Sequence, residues 1–96
     1  MKKRITDVKA VRTRTGLRIN VPHRMVLHSP TGMEWGYGGS GPADLALNIL
    51  LEFTNRKFAL SHYQSFKWDF VAKMDRDEAT IRASDIREWI AAREPK

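Results

Sequence analysis

Residues 35–53 read WGYGGSGPADLALNILLEF, a glycine-rich loop that runs into the most apolar helical pattern of the chain. Pro42 suits the first turn of a helix, where its missing N–H has no intrahelical partner to lose. The helix is therefore expected to begin near Pro42, with Gly41 or Ser40 as its cap. Leu45, Ile49 and Phe53 recur at spacing four, and Ala46 and Leu50 widen that stripe. Leu47 and Leu51 add a second apolar face, so the helix is expected to be covered on more than one side.

The loop has two readings. In the first it binds a ligand. Backbone N–H groups of Gly36, Gly38, Gly39, Ser40 and Gly41 converge at a helix N-terminus, where the dipole favours an anion. Trp35 and Tyr37 flank it as stacking faces for a nucleobase, and Arg18 and Arg24 add charge. In the second the glycines only permit a tight turn and Trp35 is core. Asp44, in the first helical turn, accepts the helix's own N–H groups in that case.

Known phosphate and hydrolase motifs do not fit. Gly36, Gly38 and Gly41 match G-x-G-x-x-G, but no βαβ unit surrounds them. A Walker loop needs Gly-Lys-Ser/Thr where Gly41 is followed by Pro42, and the pattern around Ser40 is not G-x-S-x-G.

The run MEWGYGGSGPADLA at residues 33–46 resembles the signature of a small domain family of unknown function. Phe66-Lys67, Asp85-Ile86 and Trp89-Ile90 are similar to its later pieces. The resemblance implies a compact domain, frequent residence in phages, plasmids and prokaryotic genomes, and a loop too polar to be core alone. It carries no activity. A binding protein in that genomic setting is expected to sequester a nucleotide signal of host defence.

At 96 residues the chain makes one domain, residues 1–96, and buries only about 60–65% of its unfolded surface. A core this small leaves self-association open. There are no cysteines, which excludes disulfides and thiolate chemistry and fits a cytoplasmic protein. No apolar run approaches the roughly 20 residues of a membrane span. The net charge of +6 is uneven: residues 1–34 hold eight Lys/Arg against Asp7 and Glu34, and the remainder is neutral. A basic segment beside an anion loop points to a phosphate-bearing partner, either a small molecule or a nucleic acid.

Along the chain, residues 1–4 read as a flexible basic start and 5–13 as a strand. Thr15-Gly16 is a turn, and Leu17, Ile19 and Val21 alternate as a second strand of a hairpin. Met25 to His28 reads as a short third strand and 29–32 as a turn. After the central helix, Ser61 and Gln64 form a capping box. The helix it opens places Tyr63, Phe66, Phe70 and Met74 inward and Lys67, Asp69 and Lys73 outward, with Trp68 at its edge. Residues 79–82 suggest an edge strand. Ser84 caps a last helix with Ile86, Trp89 and Ile90 inward and Arg93 and Lys96 near its end. The expected fold is α+β, a small antiparallel sheet packed on three helices.

His23, His28 and His62 share no metal-ligand spacing, and no nucleophile, base and orienting group stand together. The expectation is a non-enzymatic binding protein without metal or cofactor, its site at 35–44. The alternative is a nucleic-acid-binding or protein-interaction module that contacts a host factor through the basic hairpin and the loop.

Overall fold

The computed structural model describes residues 3–94. The basic Lys2 and the expected helix-end Lys96 lie outside them. β1 (Val8–Thr13) and β2 (Gly16–Ile19) form the expected hairpin. β3 (Glu78–Ile81) pairs antiparallel with β1 on the other side, giving the order β2-β1-β3. Three helices complete the chain: α1 (Ser40–Phe53), α2 (Arg56–Asp69) and α3 (Ala83–Ala91), with a 3-10 turn at Val71–Lys73. The architecture is α+β as expected, and β3 is an edge strand.

The sheet shows period-two burial. Val8 and Ala10 face the core, and Ala79 and Ile81 stand opposite them on β3. α1 lies at the centre. Leu45, Ala46, Leu47, Ile49 and Leu50 are all 0% exposed, so the first apolar face is covered throughout and the second at Leu47, while Leu51 is half-buried. Truncating such a leucine to alanine costs about 2–5 kcal/mol. Phe66 sits between Phe70 and Trp89, at ring-centroid distances of 4.8 and 5.1 Å.

α1 also carries a polar stripe at spacing four: Asp44, Asn48 and Glu52. These side chains hold the connection between β2 and α1. Asn48 Oδ1 accepts from the N–H groups of Arg24 and Met25, both at 2.9 Å, and its Nδ2 donates to the Met25 carbonyl at 2.9 Å. Asp44 accepts from the N–H groups of Leu27, His28 and Ser29, and His23 Nε2 lies 2.9 Å from its Oδ2. This replaces the strand expected at residues 25–28. The backbone donors there are satisfied by side chains of α1 rather than by a neighbouring strand.

Other boundaries moved for local reasons. α1 starts two residues before Pro42, with Gly39 as its cap. α2 starts at Arg56 because Asn55 Oδ1 accepts from the N–H of Phe58, which leaves Ser61 inside the helix and the capping box unformed. α2 ends at Asp69, so Phe70 and Met74 reach the core from beyond it. α3 is capped from a distance: Asp7 Oδ1, not Ser84, accepts from the Ala83 N–H at 2.8 Å. Arg4, read as part of a flexible start, is fixed instead. Its guanidinium donates to the carbonyls of Thr6, Asp7 and Asn20 and to Glu52.

Asn48→Ala leaves the N–H groups of Arg24 and Met25 without an acceptor in a part-buried site. We expect a loss of about 2–4 kcal/mol in urea unfolding. Lys9→Ala on the exposed sheet face changes stability by less than about 0.5 kcal/mol.

Candidate functional site

The loop preceding α1 is built on a charged pair and a buried indole. Arg12, at the end of β1, grips Glu34 with both terminal nitrogens, at 2.9 and 3.1 Å. Its guanidinium also lies 4.8 Å over the ring of Trp35. The hydrogen bond from Arg12 holds the Glu34 carboxyl below the ordinary carboxylate range, against the upward push of burial. The same bond raises Arg12. Trp35 is 0% exposed, and its indole N–H donates to the Asp75 carbonyl at 2.8 Å. It is core, so the expected stacking role for Trp35 does not fit.

Beyond Trp35 the glycines seat neighbouring side chains. Gly36 has φ +87°, and a Cβ there would lie 2.7 Å from Arg76 Cγ and 3.3 Å from the Met74 carbonyl oxygen. Its N–H donates to the Val71 carbonyl at 3.0 Å. Gly38 lies under the six-membered ring of Trp68, where a Cβ would be 2.1 Å from Cη2. The ring of Tyr37 covers Gly39 in the same way. Trp68 and Tyr37 remain 56% and 43% exposed, so two aromatic side chains flank the loop on the surface.

Lys67 was expected to point outward. It is 6% exposed, and its ammonium donates to the Gly38 carbonyl at 3.2 Å while lying 4.3 Å over the Trp68 ring. Among the described residues no carboxylate forms an ion pair with it. An ammonium has three donors, and the described residues supply this one a single acceptor, the Gly38 carbonyl.

The remaining expected site residues are dispersed. Ser40 is exposed in the first turn of α1, whereas Gly41 is buried against Glu34. Asp44 is 0% exposed and turned toward residues 27–29, not toward the N-terminus of its own helix. Burial pushes its carboxyl up, but the His23 contact and the N–H groups of Ser29, His28 and Leu27 outweigh that and hold it below its ordinary value. Arg24 pairs with Glu52 at 2.7 Å, eight residues further along α1 than Asp44 and so about 12 Å away along the axis. Arg18 stands opposite Val11, on the outer sheet face.

The group that does converge is therefore Tyr37, Gly38, Lys67 and Trp68, with Arg76 beside Gly36. Its chemistry is a buried cation at Lys67, a second cation at Arg76, two aromatic faces and a glycine backbone. Helical spacing sets Lys67 and Trp68 beside the stripe of Tyr63, Phe66 and Phe70, and nothing in that spacing shows that the glycine loop packs over them. The Phe66-Lys67 pair in the resemblance was the one available pointer. The histidines are separate from this group: His23 contacts Asp44, His28 contacts Tyr63, and His62 stacks on Phe58.

The family model described as a family of unknown function, DUF6166, matches residues 2–92, and the chain belongs to that family. No curated protein and no solved structure matches it.

Three outcomes are expected of this geometry. Gly38→Ala displaces the mobile end of Trp68, seen as a red shift in tryptophan emission with a small change in melting temperature. Gly36→Ala meets both a positive φ and a backbone oxygen, and costs about 1–3 kcal/mol. Asp44 and Glu34 have lowered folded-state values, so their stabilisation is complete above the unfolded carboxylate range. It is lost as pH falls below about 4, and Asp44→Asn flattens that acid limb of the stability curve.

Proposed function

We propose that this DUF6166 member is a non-enzymatic binding protein that takes a phosphate-bearing ligand, a nucleotide, at the glycine loop. Lys67 is the observation that supports this reading. A buried cation is costly unless paired, and among the described residues this one has a carbonyl and an aromatic ring for company but no carboxylate. A phosphate oxygen beside Gly38 would occupy its open donors, and a base would stack on Tyr37 or Trp68.

A charge-assisted hydrogen bond contributes about 1.5–3 kcal/mol, and stacking of one base about 1–3 kcal/mol. Those two contacts together correspond to dissociation constants from roughly ten millimolar to tens of micromolar. Ligand concentrations in the assay must match. Among the described residues no hydrogen bond joins two of the side chains Tyr37, Lys67, Trp68 and Arg76 as a nucleophile and its activating base; the bond from Lys67 goes to the Gly38 carbonyl.

The resemblance to proteins of phages and plasmids extends the reading. In a host cytoplasm such a protein would sequester a nucleotide used as a defence signal. A second reading, nucleic-acid binding, is favoured by Lys9 and Arg18, which stand exposed on the outer face of the sheet. It requires affinity that falls steeply with salt.

A panel of linear and cyclic nucleotides at millimolar concentration separates these readings. We expect a saturable thermal shift with at least one nucleotide, weakened tenfold or more by Lys67→Met and unaffected by Arg18→Ala. No shift across the panel, with salt-sensitive binding to single-stranded DNA or RNA that Arg18→Ala weakens, would replace the first reading by the second.

A further inference from the structure

A groove of about 990 Å³ lies at the opposite end of α1, between the N-terminal segment and the α1–α2 junction. Four cationic side chains line it: Lys3, Arg4, Arg24 and Arg56, against one carboxylate, Glu52. These cations do not play equal parts. Arg4 is structural, its donors going to three backbone carbonyls and Glu52. Arg24 contacts Glu52 through Nη1 at 2.7 Å, and its side chain is 58% exposed, so it remains open to solvent. Among the described residues neither Lys3 nor Arg56 forms an ion pair. Glu52 is shared by two arginines, so the groove keeps a net charge near +3. One wall is apolar: Leu51 lines it with Ile5, which is 78% exposed.

We propose that this groove is a second ligand site, for a phosphate ester that carries an apolar or aromatic group. The phosphate lies between Lys3, Arg24 and Arg56, and the apolar part lies along Ile5 and Leu51. The cations supply charge-assisted donors to a dianion. The exposed isoleucine explains the preference for an ester over the free ion, because its burial by a ligand is favourable. Soluble nucleotides and the headgroups of anionic lipids share this chemistry. The site is independent of the glycine loop and stands if that reading fails.

The test is a two-dimensional amide NMR titration of the full chain with inorganic phosphate and, separately, adenosine monophosphate. A flotation assay uses phosphatidylcholine vesicles with and without phosphatidic acid. We expect saturable shifts at Ile5, Asn55, Arg56 and Lys57, larger for the nucleotide than for phosphate. Arg56→Glu and Arg24→Ala each weaken binding at least tenfold. Arg18→Glu makes the same change in net charge as Arg56→Glu but sits on the sheet, and it leaves the affinity within twofold. Binding to the phosphatidic acid vesicles with weak nucleotide shifts assigns the lipid source. Saturable nucleotide binding without flotation assigns the soluble one. Shifts at none of these amides together with no flotation would overturn the proposal, as would Arg18→Glu weakening binding as much as Arg56→Glu.

Discussion

The polar stripe of α1 is the constraint on which the rest of the structure depends. A helix covered on nearly every side leaves no room for solvated polar groups, yet Asp44 and Asn48 are almost completely buried. They are tolerated because each is saturated with hydrogen bonds from backbone that would otherwise be unpaired. The stretch from Arg24 to Ser29 has no strand or helix of its own. It borrows acceptors from α1 and so becomes a fixed wall of the core. Further along the same face, Glu52 fixes Arg4 and Arg24. One helix face thus closes the long crossover from the sheet and anchors the N-terminal segment.

That arrangement determines where ligands are able to bind. Because the Asp44 carboxylate is consumed by residues 27–29, it does not neutralise the loop at the N-terminus of α1. Because Glu34 is consumed by Arg12, it does not either. Lys67 is left as the buried cation at the loop, and Gly38 and Gly39 let Trp68 and Tyr37 pack directly on the backbone beside it. At the far end of the helix the balance is reversed. There Glu52 serves two arginines and is outnumbered. The basic surplus of the first 34 residues is therefore divided. Part is spent on internal pairs at Arg4 and Arg12, and part stays exposed at Lys3, Lys9, Arg18 and Arg24.

Much of the fold was legible in the sequence because it rests on periodicity. The hairpin, the central helix and the inward Ile86, Trp89 and Ile90 follow from patterns of two and about 3.6 residues. What could not be read were contacts without a local pattern. The Met25–His28 stretch has strand-like composition, but its partners are side chains about 20 residues away. The cap of α3 is Asp7, from the other end of the chain. Asp44, Asn48 and Glu52 show the right spacing for one helix face, yet spacing alone does not say that backbone lies against it. The same limit hid Lys67, whose long stem turns a polar residue into a core-facing one. Of the expected site, Tyr37 and Gly38 converge; Trp35 is core, Gly41 is buried against Glu34, Asp44 is structural, and Arg18 and Arg24 lie elsewhere.

Amide hydrogen exchange at residues 27–29 tests this account most directly. These N–H groups lie in irregular chain close to exposed side chains, where loop amides ordinarily exchange quickly. If Asp44 holds them, the amides of His28 and Ser29 are protected nearly as strongly as those of α1, and Asp44→Asn releases them while much of the protection in α1 persists. Fast exchange at both positions in the native protein would contradict it. The Asp44 carboxylate would then be free of the crossover, and the assignment of Lys67 as the cation left without a counter-charge at the loop would lose its basis.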